Sequence, residues 1–153
     1  MADKIDHQNL IQELQKWNDG KGVSLGEWMD CMGSFEHAIG YSAFFWPEFE
    51  FYRELILWGG RPHSDKTIDN WISTLKGDLT AVEKMINHIH PCDFFLSNRA
   101  KTVEQVLYLG QVLKEIWQAK LSRDFPDRHI IVEFTAIDPN DATDYEITFY
   151  QER

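Results

Sequence analysis

The sequence predicts an α+β fold: a mostly helical single domain of about five helices with a C-terminal antiparallel β-hairpin. Three observations carry that prediction. Apolar residues recur at helical spacing through most of the first 123 positions, the period switches to two after Arg128, and turn-forming residues separate the segments. The expected organisation is one globular domain, 1–153, made of a helical body (1–123) and an acidic β-hairpin (128–151).

Leu10, Ile11, Leu14 and Trp17 mark a first helix, stopped by Asn18-Asp19-Gly20-Lys21-Gly22. Ser24 stands three residues before Glu27, the spacing of a capping box. Behind it Leu25, Trp28, Met29, Met32, Phe35 and Ile39 form one stripe, which predicts a helix from about 24 to 45 with Gly33 and Gly40 as weak points. Pro47 suits the first position of a next helix, with Glu48 and Glu50 where the helix dipole favours acids. Phe49, Tyr52, Leu55 and Ile56 would be its apolar surface, and Gly59-Gly60-Arg61-Pro62 its stop.

Ser64 or Asp65 caps a long helix whose stripe keeps phase from Ile68 through Gly77 to Ile89 and ends at His90-Pro91. Pro91 to Lys101 is irregular, with the apolar run Phe94-Phe95-Leu96. Thr102 and Gln105 fit a second capping box, opening a helix that ends by Asp124-Phe125-Pro126. Beyond Arg128, Ile130, Val132 and Phe134 alternate with Ile131, Glu133 and Thr135, and Tyr145, Ile147 and Phe149 with Glu146, Thr148 and Tyr150. Asp138-Pro139-Asn140-Asp141 supplies the turn between them. A lone hairpin is marginal in water, so this one must pack on the helices.

Hydrophobic residues make up 43% of the chain and aromatics 14%, material for a core and the opposite of a disordered composition. The net charge of −10 repels phosphate backbones and anionic lipid, so no nucleic acid and no membrane partner is expected. The polar N-terminus lacks the apolar region of a signal peptide, and two cysteines, Cys31 and Cys92, make no disulfide framework. A reducing cytoplasm is the expected compartment.

Candidate chemistry is sparse. His88, His90, Cys92 and Asp93 crowd together, and His37 on another helix could join them at a metal or around a thiol nucleophile. Positions 88 and 90 point about 200° apart on a helix, however, and the spacing matches no zinc signature. The favoured account has the histidines complementing a helix C-terminus and Cys92 packing as a small apolar residue. Asp138, Asn140, Asp141 and Asp144 resemble half of a calcium loop but lack its Gly and terminal Glu. Glu48, Glu50 and Glu54 beside aromatic residues read as the solvated face of an amphipathic helix. Phosphate-cradling loops and serine-nucleophile elbows are missing, and no cofactor is expected.

What remains is charge asymmetry. The last thirty residues carry eight acids and two bases, −6 of the total −10, while the first 123 carry 17 acids and 13 bases. Carboxylates beside aromatic side chains suit docking on a basic protein. The leading expectation is therefore a small, acidic, non-catalytic binding protein of the immunity-protein, inhibitor or defence-accessory type. It would occlude its partner through Glu133, Asp141, Asp144, Tyr145, Glu146 and Tyr150. One alternative is an enzyme built on His37, His88, His90, Cys92 and Asp93. Another is a self-associating subunit, a homo-oligomer formed through Phe94-Phe95-Leu96 or the hairpin edge.

Overall fold

The structure, a computed structural model, describes residues 7–95, 100 and 102–153; Leu96, Arg99 and Lys101 lie outside them. The architecture is α+β, with the expected C-terminal hairpin and a second, smaller hairpin that the sequence hides. Contacts divide the chain into two compact units, one ending at Tyr41 and the other spanning Ser42–Arg153.

In the first unit the expected opening helix is two short ones, α1 (His7–Leu10) and α2 (Glu13–Lys16). Leu14 is buried, and its carbonyl accepts from Val23 N–H at 2.9 Å across a turn in which Asn18, Asp19, Gly20 and Gly22 all have positive φ. The Ser24–Glu27 capping box forms as expected at the start of α3 (Leu25–Met32). The continuous helix expected to about residue 45 is interrupted. Gly33 is extended, and a Cβ there would meet the Met29 carbonyl at 2.6 Å. Ser34 then starts α4 (Phe35–Phe45) by accepting from His37 N–H at 3.1 Å. A serine able to cap a new N-terminus, placed after a glycine, restarts the helix without breaking the apolar period.

The largest departure from expectation follows Pro47. Instead of a helix, β1 (Phe49–Tyr52) and β2 (Leu55–Trp58) pair antiparallel in the register Phe49↔Trp58 to Tyr52↔Leu55. Arg53 and Glu54 form the two-residue turn with φ of 51° and 67°. That conformation usually calls for Asn or Gly, so the turn is invisible in the sequence. The physical reason for a strand lies in four consecutive apolar residues. Ile56 enters one core cluster while Leu55 and Leu57 enter another, so β2 is covered on both faces, which a strand permits by alternation.

The long helix expected up to His90 is also two: α5 (Asp65–Thr74), capped by Ser64, and α6 (Leu79–Asn87), capped by Asp78. Between them Lys76 N–H bonds to Ser73 O and Gly77 N–H to Ile72 O, with φ of 54° and 83°, the double bond of a Schellman stop. After a 3-10 turn at Pro91–Asp93 comes α7 (Val103–Asp124), with Thr102 as N-cap. It buries Val106, Gly110, Leu113, Trp117 and Leu121. The terminal hairpin, β3 (Ile130–Thr135) with β4 (Glu146–Gln151), lies against α6 and α7. None of the helices among the described residues is long and apolar enough to cross a membrane.

Polar side chains from the helices complete the sheet edges. Gln118 of α7 accepts from Val132 N–H at 3.0 Å and donates to Ile130 O at 2.8 Å, standing in for a neighbouring strand. On the far side of β4, Ile89 and Ile147 exchange two backbone bonds of 2.9 Å. Glu83 of α6, fully buried, accepts from Ile56 N–H (2.7 Å), Gln151 N–H (2.8 Å) and the Gln151 amide (2.6 Å), and Arg153 meets it at 3.0 Å. Asn87 donates to Ile56 O and Phe149 O. These two side chains tie β2 of the first hairpin and β4 of the second to α6.

Gly110 marks the tightest approach of α7 to β3, because a Cβ there would lie 2.2 Å from the Phe134 ring. Alanine gains roughly 1 kcal/mol of helix propensity over glycine, but overpacking costs about 1–3 kcal/mol. Gly110→Ala should therefore lower stability in urea titration, and in a Phe134→Leu background the same change should raise it. Stabilisation in both backgrounds would refute the close contact.

Candidate functional site

The acidic hairpin expected to face a partner is largely committed to the protein itself. Tyr145 and Tyr150 are 6% and 7% exposed, so neither ring is available as an anchor. The Tyr150 hydroxyl donates to Glu133 at 2.5 Å, Lys84 lies 3.9 Å over the Tyr150 ring, and Lys84 meets Glu133 at 3.5 Å. Burial and the bond to Glu133 hold the Tyr150 phenol above its ordinary range. Burial opposes the charge on Lys84, yet Tyr150 and Glu133 leave its ammonium strengthened. The sequence missed this because β4 is buried on both faces: α6 covers the side that alternation assigns to solvent.

Other C-terminal acids find partners too. Asp124 pairs with Lys120, and Glu152 lies 2.7 Å from His129. Glu146 opens β4, half-buried, opposite Thr135.

The connection between the strands is different. Asp144 accepts from Ile137 N–H at 2.5 Å and Asp138 N–H at 2.6 Å, clamping both ends of the loop. Asp138 accepts from Asn140 N–H (2.9 Å), and Asp141 from Thr143 N–H (2.8 Å) and hydroxyl (2.7 Å). The Tyr145 hydroxyl donates to Pro139 O at 2.9 Å from below. Those Thr143 bonds, hydroxyl first and amide second, hold Asp141 below the usual carboxylate range. Each carboxylate thus fixes loop backbone. Ile137 is 96% exposed at this loop. Its signal was an apolar side chain directly before Asp-Pro, where no strand could bury it. From Arg128 to Arg153 the chain has no intervening Lys or Arg.

The metal centre is not assembled among the described residues. Among the described residues no group of three or more His, Cys, Asp or Glu side chains is placed to hold a metal ion. His88 Nδ1 lies 2.8 Å from Met85 O and His90 Nδ1 3.1 Å from Tyr145 O, so both rings brace backbone carbonyls. Neither Cys92 nor Cys31 is joined in a disulfide. Asp93 closes the 3-10 turn after α6, and His37 stacks on Tyr41 in the first unit. Of the self-association candidates, Phe94 is spent against Phe44 at 4.3 Å and the hairpin edges are occupied as described, while Phe95 is 44% exposed. No family model, curated protein or solved structure matches the chain.

Proposed function

We propose that this chain is a small, acidic, non-catalytic binding protein that occludes a basic protein partner, of the immunity-protein, inhibitor or defence-accessory kind, in a reducing cytoplasm. The observation that carries the reading is the loop from Ile137 to Asp144. It presents carboxylates already fixed by their own hydrogen bonds around one almost fully exposed apolar side chain. Such a loop binds without first losing conformational freedom, which is where much association energy is otherwise spent. Its charge steers encounter with a cationic face, and Ile137 supplies an apolar contact on arrival. The contact set moves accordingly, from Tyr145, Tyr150 and Glu133 to Ile137, Asp138, Asp141 and Asp144.

The test is a comparison of variants against the basic polypeptide that the wild-type protein retains from its source cells. Asp138→Asn with Asp141→Asn keeps the loop's acceptors while removing two charges. Association should slow, and its dependence on ionic strength should flatten. Ile137→Ser should instead speed dissociation by roughly tenfold. A partner held with the same rates and the same salt dependence by all three proteins would sink the proposal.

A further inference from the structure

α3 and the start of α4 present an exposed apolar stripe. Leu25, Trp28, Met29 and Met32 recur at the three- and four-residue spacing of one helical face, and Phe35 and Ile39 continue the period in α4. Met29, Met32 and Ile39 each keep more than half of their surface in water, and Phe35 keeps 87%. Among the described residues, α3 buries none of its eight and α4 none of its eleven. Single exposed apolar side chains are ordinary, but a series of large ones along one stripe marks an interaction surface. Length makes the same point. Helices shorter than about 12–15 residues are marginal in water and take most of their stability from packing an amphipathic face. With only eight residues in α3, a covering partner would supply what its own length does not.

We infer that this stripe docks a basic amphipathic helix of a partner protein. Charge selects the basic character. Between Gly22 and Tyr52 the sequence holds no Lys or Arg, while Glu27, Asp30 and Glu36 fall on α3 and α4. Two carboxylates border the stripe. Glu13 of α2 accepts from the Trp28 indole N–H at 3.2 Å, and Glu36 follows Phe35, about 60° around the helix from Ile39. Lysines or arginines flanking the partner's apolar face would meet both acids, whereas nucleic acid and anionic lipid would meet only like charge. A second copy is disfavoured on the same ground. It would set these acids against their own equivalents, with no Lys or Arg in the segment to answer them.

Backbone geometry selects a helix over a strand. A helix spends its N–H and C=O groups along its own axis and offers no edge to a pairing strand. A narrow stripe along a helix is instead matched by the ridge of another helix, with apolar anchors at i, i+3, i+4 and i+7 of the docking segment. Met29 and Met32 suit that role, because unbranched thioether side chains adapt to the shape laid against them. Periodicity alone assigns such a stripe to the protein's own core; only the coordinates place it in water.

The experiment is an NMR titration of the full chain, with isotope-labelled methionine methyls and backbone amides. The probe is a peptide of about five helical turns, with Leu at i, i+3, i+4 and i+7 and Lys elsewhere. The Met29 and Met32 methyls should shift in a saturable one-to-one fashion while Met85, in α6, stays in place. A scrambled peptide of the same composition, and a patterned peptide with Glu for Lys, should each bind at least about tenfold more weakly. Phe35→Ser should lower affinity about tenfold and, as a change at a residue already in water, leave the melting temperature unmoved. Met29→Gln with Met32→Gln, followed by the amides, should weaken binding equally. Glu13→Gln with Glu36→Gln should flatten the dependence on ionic strength. Equal binding of the scrambled peptide, unchanged affinity in both apolar variants, or shifts at Ile137 in place of the methionines would overturn the inference. So would methyl shifts on diluting the protein alone, with its mass halving in light scattering, which would assign the stripe to a second copy. Because the methionines at 29 and 32 and the Ile137 loop belong to different units, failure here leaves the acidic-loop reading intact.

Discussion

Replacing Glu83 by alanine is expected to cost about 3–5 kcal/mol, the range found when one partner of a buried charged network is removed. The reason is what the substitution leaves behind. Ile56 N–H, Gln151 N–H and the Gln151 side-chain amide all point at one fully buried carboxylate. With it gone, three donors face an apolar cavity, and each unsatisfied buried donor costs roughly 1–3 kcal/mol. Arg153 suffers less, because its side chain is 32% exposed and turns toward water. Arg153→Met leaves the buried carboxylate without its cation but still bonded to three donors, so it should cost about 1–3 kcal/mol, below Glu83→Ala, although both remove the same ion pair. Glu83→Gln should fall between them, since the amide keeps one acceptor oxygen but turns an NH₂ toward existing donors. Urea titration separates the three by midpoint at constant slope. A Glu83→Ala protein within about 1 kcal/mol of wild type would show that the network is not what joins the hairpins.

The sequence conceals Glu83 for the same reason that it conceals the first hairpin. Within α6, Glu83 falls between Val82 and Ile86 on the apolar stripe, a lone acid whose partners are far away in sequence. Nothing local reports that two strands from residues 55–58 and 146–151 will close over it. Patterns with strong local causes were legible: the Ser24–Glu27 box, the Ser64 and Thr102 caps, the terminal hairpin and the core face of α7 all follow from side chains within a few positions. Features set by long-range covering were not. Arg53-Glu54 makes a tight turn without turn residues because its flanking strands are held by burial. Tyr150 leaves the surface because α6 covers a face that alternation alone assigns to water, while Tyr145, on the face of Ile147 and Phe149, packs on Phe134. The candidate loop was legible only in part: its acids were plain, but their use as clamps on Ile137 and Asp138 needed coordinates.

Trp117→Ala should be comparably damaging, about 3–5 kcal/mol for a large aromatic removed from a closed core. The ring is fully buried, lies among Phe44, Phe49, Trp58 and Phe149, and donates through Nε1 to Phe44 O at 3.2 Å. It therefore touches the first hairpin through Phe49 and Trp58 and the second through Phe149, so its loss loosens both together. Trp117→Phe keeps much of the packing but forfeits the hydrogen bond, and should cost about 1–3 kcal/mol. For a domain whose whole stability is of order 5–15 kcal/mol, the alanine variant loses a large share of it. Partner association offers a sharper discrimination. The acidic loop is held by its own carboxylate clamps, which Trp117 does not touch, and its steering depends on charge. Under conditions where Trp117→Ala remains folded, the variant should associate with a basic partner as fast as wild type while melting earlier and losing near-ultraviolet aromatic signal. A slowed association in a folded Trp117→Ala protein would show that the loop borrows its rigidity from the core, and that its own hydrogen bonds do not preorganise it.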